Sequence, residues 1–470
     1  MSPAPDLTKP ALRAVILAAG RGTRMRSARP KVLHPLAGRP MVQHLAAALA
    51  ALGPAEIVVV TAPGEGEVAA AVAPAAGAAT VTAAAQDPPL GTGHAVLAAK
   101  PALGSRPGTV LVVYGDTPLL SETTLREMVA RREQGAAVVV VGFRPADTAA
   151  YGRLILDAAG TLARIVEHRD ASAEERAVDL CNSGVMAVDG VLLFDLLAGV
   201  TADNAKGEYY LTDIVALARG RGLACAMVEA PEAEVLGINS RRELAVAEAL
   251  VQDRLRERAM AGGASLLDPA SVHLSWDTAI GQDVIIEPHV FCGLGVAIGD
   301  NVVIRAFSHL EGARIKAGAI VGPFARLRPG ARIGEGVHIG NFVEIKNAGI
   351  EAGAKVNHLS YVGDARVGAG ANIGAGTITC NYDGIAKHHT DIGAGAFIGS
   401  NSALVAPVTI GDGAMVGAGS TIAGTVAPGA LAVTRAEQKE FAGGAERFRT
   451  RARARVAKKA PAAPAPRSKV

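Results

Sequence analysis

The sequence predicts two architectures in tandem: an α/β domain on a mainly parallel sheet, then a parallel β-helix of hexapeptide repeats, with a long helix joining them. Three observations carry this reading. Up to about residue 238, short apolar runs alternate with amphipathic stretches. A capped apolar stripe follows. Beyond residue 272 an aliphatic residue returns at six-residue spacing, usually with glycine beside it.

The runs AVILAAG (14–20), EIVVVTA (56–62), TVLVVYGD (109–116) and AAVVVVGF (136–143) read as strands. A strand that is apolar without alternation is buried on both faces, the condition of a parallel sheet covered by helices. MVQHLAAALAAL (41–52) and SETTLREMVARRE (121–133) supply helical patterns between them. Ligands of such sheets lie beyond the carboxyl ends of the strands. Residues 1–239 are expected to form this domain. Residues 240–265 form the joining helix: Ser240 and Glu243 make a capping box, and Leu244, Ala247, Val251, Leu255 and Ala259 share one stripe.

Residues 266–436 carry the repeat. Ile280, Ile286, Ile298, Ile304 and Leu310 keep the register. After a one-residue slip it resumes through Ile315, Val321, Leu327, Ile333, Ile339 and Ile345, and it closes with Ile392, Ile398, Leu404, Ile410, Val416 and Ile422. A period of six fits neither a helix nor a hairpin sheet; it marks coils stacked as parallel strands. At ~4.8 Å per coil, about eight to ten coils make a prism roughly 40–50 Å tall. The step from Thr379 to Ile392 is one residue longer than two repeats, so Asn381–Thr390 is expected to loop outward. Residues 437–470 remain as a basic tail, expected to be solvated and without fixed structure.

Composition narrows the function. The formal charge is +3, but nine Lys/Arg and no acid lie between Arg447 and Val470, which leaves the rest at −6 (+3 less nine). A global basic surface for nucleic acid is therefore not expected. Cys181, Cys225, Cys292 and Cys380 are far apart with no CxxC pair, so neither a zinc site nor a disulfide framework is expected, and a reducing cytoplasmic setting follows. No signal peptide is expected at the N-terminus. Val68–Gln86 is uncharged but mostly alanine and interrupted by Pro74 and Gly77, so no transmembrane segment is expected.

Two groups of residues carry chemistry. In LAAGRGTRMRSARPK, Gly20 and Gly22 permit close backbone approach to an anion, and Arg24 and Lys31 supply charge. QDPPLGTGHA (86–95) is a loop of the kind that encloses a base, with His94 a local hydrogen-bonding residue. Asp116 ends a buried strand and suits either a hard cation held against phosphates or a turn. Asn239 is open to two roles, helix end or amide-oxygen ligand. On the repeat, Arg326, Arg328, Glu344, Lys346, His358 and Tyr361 interrupt a pattern that needs no charge, concentrated between Arg328 and Tyr382 rather than spread evenly.

The ordered set LAAGRGTRM…PK, PLGTGHA, YGDTPL, YGRLI, IVEH, CNSGV, GEYYLTDIV and the hexapeptides resembles, across residues 12–436, the bacterial bifunctional N-acetylglucosamine-1-phosphate uridyltransferase/glucosamine-1-phosphate N-acetyltransferase family. The resemblance implies a Rossmann-like nucleotidyltransferase domain, a left-handed coil and a homotrimer. It implies that acetyl-CoA acetylates glucosamine-1-phosphate, and that UTP then converts N-acetylglucosamine-1-phosphate to UDP-N-acetylglucosamine, a precursor of peptidoglycan and lipopolysaccharide. By that resemblance Leu17, Ala18, Gly20, Arg24 and Lys31 face UTP, with Gln86, Gly91 and Thr92 on uracil. Asp116 and Asn239 hold Mg²⁺; Tyr114, Gly152, Glu167 and Asn182 surround the sugar. His358 is the general base of acetyl transfer. Arg328 and Lys346 hold the sugar phosphate, with Tyr361 and Asn372 on the sugar. Ala375, Asn381, Tyr382, Ser400, Ala418 and Arg435 meet acetyl-CoA. Ser183 replaces the usual Thr of CNSGV, and Ser240 the usual Asn or Asp of GINSR.

Two other classes fit parts of the pattern. A single-activity sugar nucleotidyltransferase would use the prism only to assemble or regulate, which leaves His358, Tyr361 and the Asn381–Tyr382 loop without a purpose. A non-enzymatic scaffold would not need Arg24, Lys31, Asp116 and Asn239 together.

Overall fold

The computed structural model describes residues 11–459, apart from Arg21, Ala149, Ala150 and Ala205. The first domain holds a sheet of nine strands. Its main path runs Cys225–Glu229, Val138–Phe143, Cys181–Asp189, Thr109–Tyr114, Leu12–Leu17, Glu56–Thr61 and Thr80–Ala85. All neighbours on this path are parallel except Cys181–Asp189, which runs antiparallel to both. Strands apolar on both faces need two covers, and they have them. One core gathers Val42 and Leu45 of helix Met41–Ala50, Val68 of helix Gly66–Val72 and Leu125 of helix Glu122–Glu133. The other gathers Val96 of helix Thr92–Ala98, Leu193 of helix Leu193–Leu197 and Ile214 of helix Asp213–Gly220. The uncharged stretch 68–86 is divided between helix Gly66–Val72 and strand Thr80–Ala85. Among the described residues no helix is long and apolar enough to cross a membrane.

The joining helix spans Arg241–Ala261 and starts with both hydrogen bonds of the capping box in place. Ala247, Val251 and Leu255 are buried in one continuous core with Leu36, Met41 and Leu119 of the first domain and the inward residues of the prism. The helix therefore couples the two domains by packing as well as by chain.

The prism has three parallel sheets of ten, nine and eight strands. Partners are one coil apart, as in Ile304↔Val321 and Val321↔Ile339. Each rung sends one aliphatic side chain inward: Val321, Leu327, Ile333, Ile339 and Ile345 are all essentially inaccessible. Each such burial stabilises by roughly 1.5–3 kcal/mol, so Ile345→Asp would open the stack. The slip after Leu310 is absorbed at the Arg314–Ile315 strand, which still pairs with Ala297–Ile298. The enlarged coil pairs Val367 with Ile392, keeps Asn372–Ile373 and Ile378–Cys380 in the wall, and ejects residues 381–389 as a loop, closed by a Tyr382–Lys387 bridge.

One expectation is corrected. Part of the tail is helical, from Gly444 to Lys459. Ala, Arg, Lys and Glu are strong helix formers, and a proline-free run of them holds a helix that polarity alone would not reveal. Residues 460–470 of that tail lie outside the described residues.

Candidate active sites

The first site forms beyond the carboxyl ends of strands Leu12–Leu17 and Thr109–Tyr114. A cavity of about 290 Å³ is lined by Leu17, Ala18, Gly20, Lys31, Gln86, Gly91, Thr92, Tyr114 and Asp116, with Glu208 at its margin. Gly22 has φ +56°, and a Cβ there would stand 2.7 Å from Lys31 Cβ. Only glycine turns the chain and leaves Lys31 room to lie inward. Lys31, only 9% exposed, donates to Asp116 Oδ2 at 2.5 Å and to Asn239 Oδ1 at 2.8 Å. Two hard oxygens thus converge on one positive charge, the donor set that suits Mg²⁺.

The two readings of Asn239 are separated by its neighbours. Ser240 caps the helix with its hydroxyl, and Glu243 Oε2 accepts from the backbone N–H groups of Asn239 and Ser240. The Asn239 side chain is thereby free to face Lys31. The Ile238 N–H donates to the Asp116 carbonyl at 2.9 Å, fixing the two chain segments together.

Across the cavity, Gln86 Nε2 donates to the Gly91 carbonyl at 2.9 Å. Gly91 has φ +109°, and a Cβ would stand 2.7 Å from the Tyr209 carbonyl oxygen. The loop is therefore zipped against GEYYLT: Tyr209 N–H donates to Leu90 O, Gly93 N–H to Tyr209 O, and Leu211 N–H to Thr92 Oγ1. His94 lies 3.5 Å from Gln86 Nε2.

Gly152, Glu167 and Asn182 are assembled next to this cavity, around Tyr114. A Cβ on Gly152 would lie 3.5 Å from the Glu167 carboxylate. Asn182 N–H donates to Gly152 O, and Asn182 Oδ1 accepts from Gly184, over which the Tyr114 ring lies. Burial pushes the Tyr114 hydroxyl well above its ordinary range, helped by the Asp116 and Glu167 charges. Burial likewise raises the Glu167 carboxyl; Lys206 opposes this, while Asp170 and Asp213 add to it. Arg24 is not brought in: it is exposed on the turn Thr23–Met25 and has no partner among the described residues.

The second group lies on the prism. Asn341, His358, Ala375, Ser400 and Ala418 stack along one corner. Successive coils are tied there by Leu359 N–H to Asn341 O, Gly376 N–H to His358 O, Asn401 N–H to Ala375 O and Gly419 N–H to Ser400 O. Arg435 closes the column by donating to Ala418 O at 3.2 Å. His358 is exposed, and its Nδ1 lies 2.6 Å from Asn341 Oδ1. An amide oxygen only accepts, so this contact favours the tautomer with the proton on Nδ1.

On the face after that corner, Arg328 donates to Glu344 at 2.9 Å, and Lys346 stands 3.5 Å from Asp364. Burial would raise the Asp364 carboxyl, but hydrogen bonds from Asn347 and Asn381 and the Lys346 charge hold it below its ordinary value. Asn381 reaches both Asp364 and the Tyr361 hydroxyl. Lys387, on the ejected loop, lies against Lys346, and this proximity depresses its ammonium. Asn372 is not part of this cluster. It stands on the preceding face, paired with Lys355 and Phe397. Tyr382 is exposed on the loop and donates to Gly384 O.

Asn341 and Lys387 are the two residues that sequence reasoning missed. Asn341 sits one coil before His358, in register with it. That spacing was available as a signal. Lys387 lies in the segment where the period breaks, so no register could place it.

Comparison with known proteins agrees with both halves. Residues 14–178 match the MobA-like NTP transferase domain, and residues 312–347 and 389–424 match the bacterial transferase hexapeptide (six repeats). The bifunctional protein GlmU of Paramagnetospirillum magneticum is 61% identical over 450 residues, 95% of this chain and 99% of the relative. That of Rhodospirillum rubrum is 62% identical over 442 residues, 94% and 98% of the two chains. That of Xanthobacter autotrophicus is 56% identical over 438 residues, 93% and 97%. With such identity over nearly the whole of each chain, and with both sites built on the two matching domains, this chain belongs to the family of the bifunctional protein GlmU.

Proposed function

We propose that the chain makes UDP-N-acetylglucosamine in two steps, acetylating glucosamine-1-phosphate on the prism and transferring uridylyl to the product in the first domain. The observation that carries this is the coexistence of the Lys31–Asp116–Asn239 bridge with the His358–Asn341 pair on one polypeptide.

In acetyl transfer, the 2-amino nitrogen attacks the thioester carbonyl of acetyl-CoA. The C–N bond forms, the C–S bond breaks, and the coenzyme leaves as its thiol. His358 Nε2 takes the proton from the amine and passes it to the departing sulfur, and Asn341 holds the ring so that this nitrogen is the basic one. Arg328, Lys346 and Lys387 hold the sugar phosphate; Tyr361 and Asn372 orient the sugar. Asn381, Tyr382, Ala375, Ser400, Ala418 and Arg435 carry acetyl-CoA along the corner.

In uridylyl transfer, a phosphate oxygen of N-acetylglucosamine-1-phosphate attacks the α-phosphorus of UTP and pyrophosphate leaves. Lys31 draws the phosphates in, Gln86, Gly91 and Thr92 read uracil, and Gly152, Glu167 and Asn182 seat the sugar. Asp116 and Asn239 would hold Mg²⁺, leaving further positions to phosphate oxygens and water, as this ion prefers. When bound, the ion supplies neutralisation of phosphate charge.

The homotrimer is supported by two features. Asn372 lies on the face before the His358 corner, and Arg328, Lys346 and Tyr361 lie on the face after it. Side chains on adjacent faces of a prism diverge, so one sugar meets both sets only between two copies. Beside the corner, Phe307, Phe324 and Phe342 form a stacked ladder, each about half exposed, with φ near +55 to +60°. A bulky residue in that region is strained, and an exposed strained aromatic column fits an interface. The cytoplasm is the proposed location; Cys181, Cys225, Cys292 and Cys380 are all free thiols.

The test supplies glucosamine-1-phosphate, acetyl-CoA, UTP and Mg²⁺ and follows UDP-N-acetylglucosamine, free thiol and pyrophosphate. Absence of thiol release would leave only a nucleotidyltransferase.

A further inference from the structure

We propose that the C-terminal helix Gly444–Lys459 is an in-plane anchor for an anionic lipid surface. This goes beyond the two activities, neither of which uses the helix. Three observations carry it: charge, pattern and isolation.

The helix holds seven Lys/Arg and one acid, Glu446, whereas the chain before Arg447 is net negative. Glu446 pairs with Arg449 at 3.6 Å, and among the described residues Arg451, Arg453, Arg455 and Lys458 have no ion-pair partner. Four like charges on consecutive turns repel one another and favour an external anion.

The spacing is more specific than charge alone. Ala445, Phe448, Ala452 and Val456 follow one another at i, i+3, i+7 and i+11, which puts them on one narrow stripe. Phe448 is 74% exposed and Val456 72%. Arg449 and Arg453 flank this stripe on one side, Arg451 and Arg455 on the other, and Glu446 lies beyond Arg449, away from it. A helix lying in a headgroup layer has this layout, with apolar side chains down and guanidinium groups reaching sideways to lipid phosphates. A helix in a nucleic-acid groove gains nothing from keeping a phenylalanine and a valine bare. Residues 433–440 carry no regular structure, and Phe441, itself exposed, precedes the helix. The helix is thus reached through a stretch that leaves it room to lie flat while the prism stands clear.

The test uses the full-length protein and sedimentation with vesicles of phosphatidylcholine alone or with one third phosphatidylglycerol. Each cation near an anionic surface is worth about fivefold in partitioning. The full chain is expected to favour the anionic vesicles by about 100-fold or more. The variant Arg451→Gln/Arg453→Gln/Arg455→Gln is expected to lose about 100-fold of that binding, and Phe448→Ser/Val456→Ser about tenfold or more. Both variants should keep both enzymatic activities in solution, since neither changes a residue of the two sites. Four results would overturn the proposal: no binding of the full chain to either vesicle, equal binding to both, undiminished binding by the Phe448/Val456 variant, or displacement from vesicles by poly(U) at lower concentration than phosphatidylglycerol vesicles themselves require. A change in oligomeric state of the arginine variant without change in vesicle binding would likewise overturn it and assign the helix to self-association.

Discussion

Replacing Asn341 by alanine isolates the contribution of one hydrogen bond to acetyl transfer. With the imidazole neutral, the Nδ1–H of His358 meets the Asn341 amide oxygen at 2.6 Å. As Nε2 takes the amine proton, the ring becomes a cation and the same hydrogen bond becomes charge-assisted. Neutral hydrogen bonds contribute about 1 kcal/mol net, and those to charged groups about 1.5–3 kcal/mol. The difference, on the order of 1–2 kcal/mol, exists only in the transition state. It corresponds to about 5- to 30-fold in rate. Because it is not present in the ground state, the loss should fall on kcat, with KM for glucosamine-1-phosphate nearly unchanged. The assay is thiol release from acetyl-CoA, run beside pyrophosphate release from the first domain in the same preparation. An unchanged kcat would refute the role given to Asn341. So would a parallel fall in pyrophosphate release, because a defect shared by both sites is a folding defect.

Lys31→Ala should lower pyrophosphate release by about 100-fold or more, as loss of a preorganised charge at a reacting phosphate does, while thiol release stays normal. Chelation of divalent ions should abolish pyrophosphate release and spare thiol release, a contrast readable in one coupled assay. The raised Glu167 carboxyl gives a pH signature. In acid, Glu167 is protonated both folded and unfolded and costs nothing. As pH climbs through its raised folded value, folding must hold a desolvated charge and stability is lost, so Glu167→Gln should melt at higher temperature than the parent at alkaline pH and equally at acid pH. Phe324→Ser/Phe342→Ser should dissociate the proposed trimer in sedimentation velocity and remove acetyl transfer while pyrophosphate release persists.

The sequence was most informative where a period governs the chain. The inward residues from Ile286 to Ile422 are buried as the six-residue spacing requires, and the slip after Leu310 costs no rung. Asp116 and Asn239 were legible as a pair by resemblance, but the amide's freedom depended on Ser240 taking the cap, a division of labour that only geometry displays. Local pattern was silent elsewhere. Lys387 belongs to a loop with no register. The phenylalanine ladder repeats only once per coil, too sparsely to stand out against an aliphatic background. The basic tail looked unstructured because charge and helix propensity point in different directions, and propensity prevails from Gly444 onward.

The stacked corner has a consequence for how this enzyme can vary. His358 stands over Asn341 because one full circuit of the chain separates them, so this pair inherits its geometry from the length of a coil. The seven residues by which the coil joining Val367 to Ile392 exceeds a regular coil are ejected and leave the wall undisturbed. Length change in such a molecule has three outlets, a one-residue adjustment at a corner, as between Ile298 and Ile315, a whole circuit, or an ejected loop, and the prism could be made taller below Ile315 without the chemistry registering it.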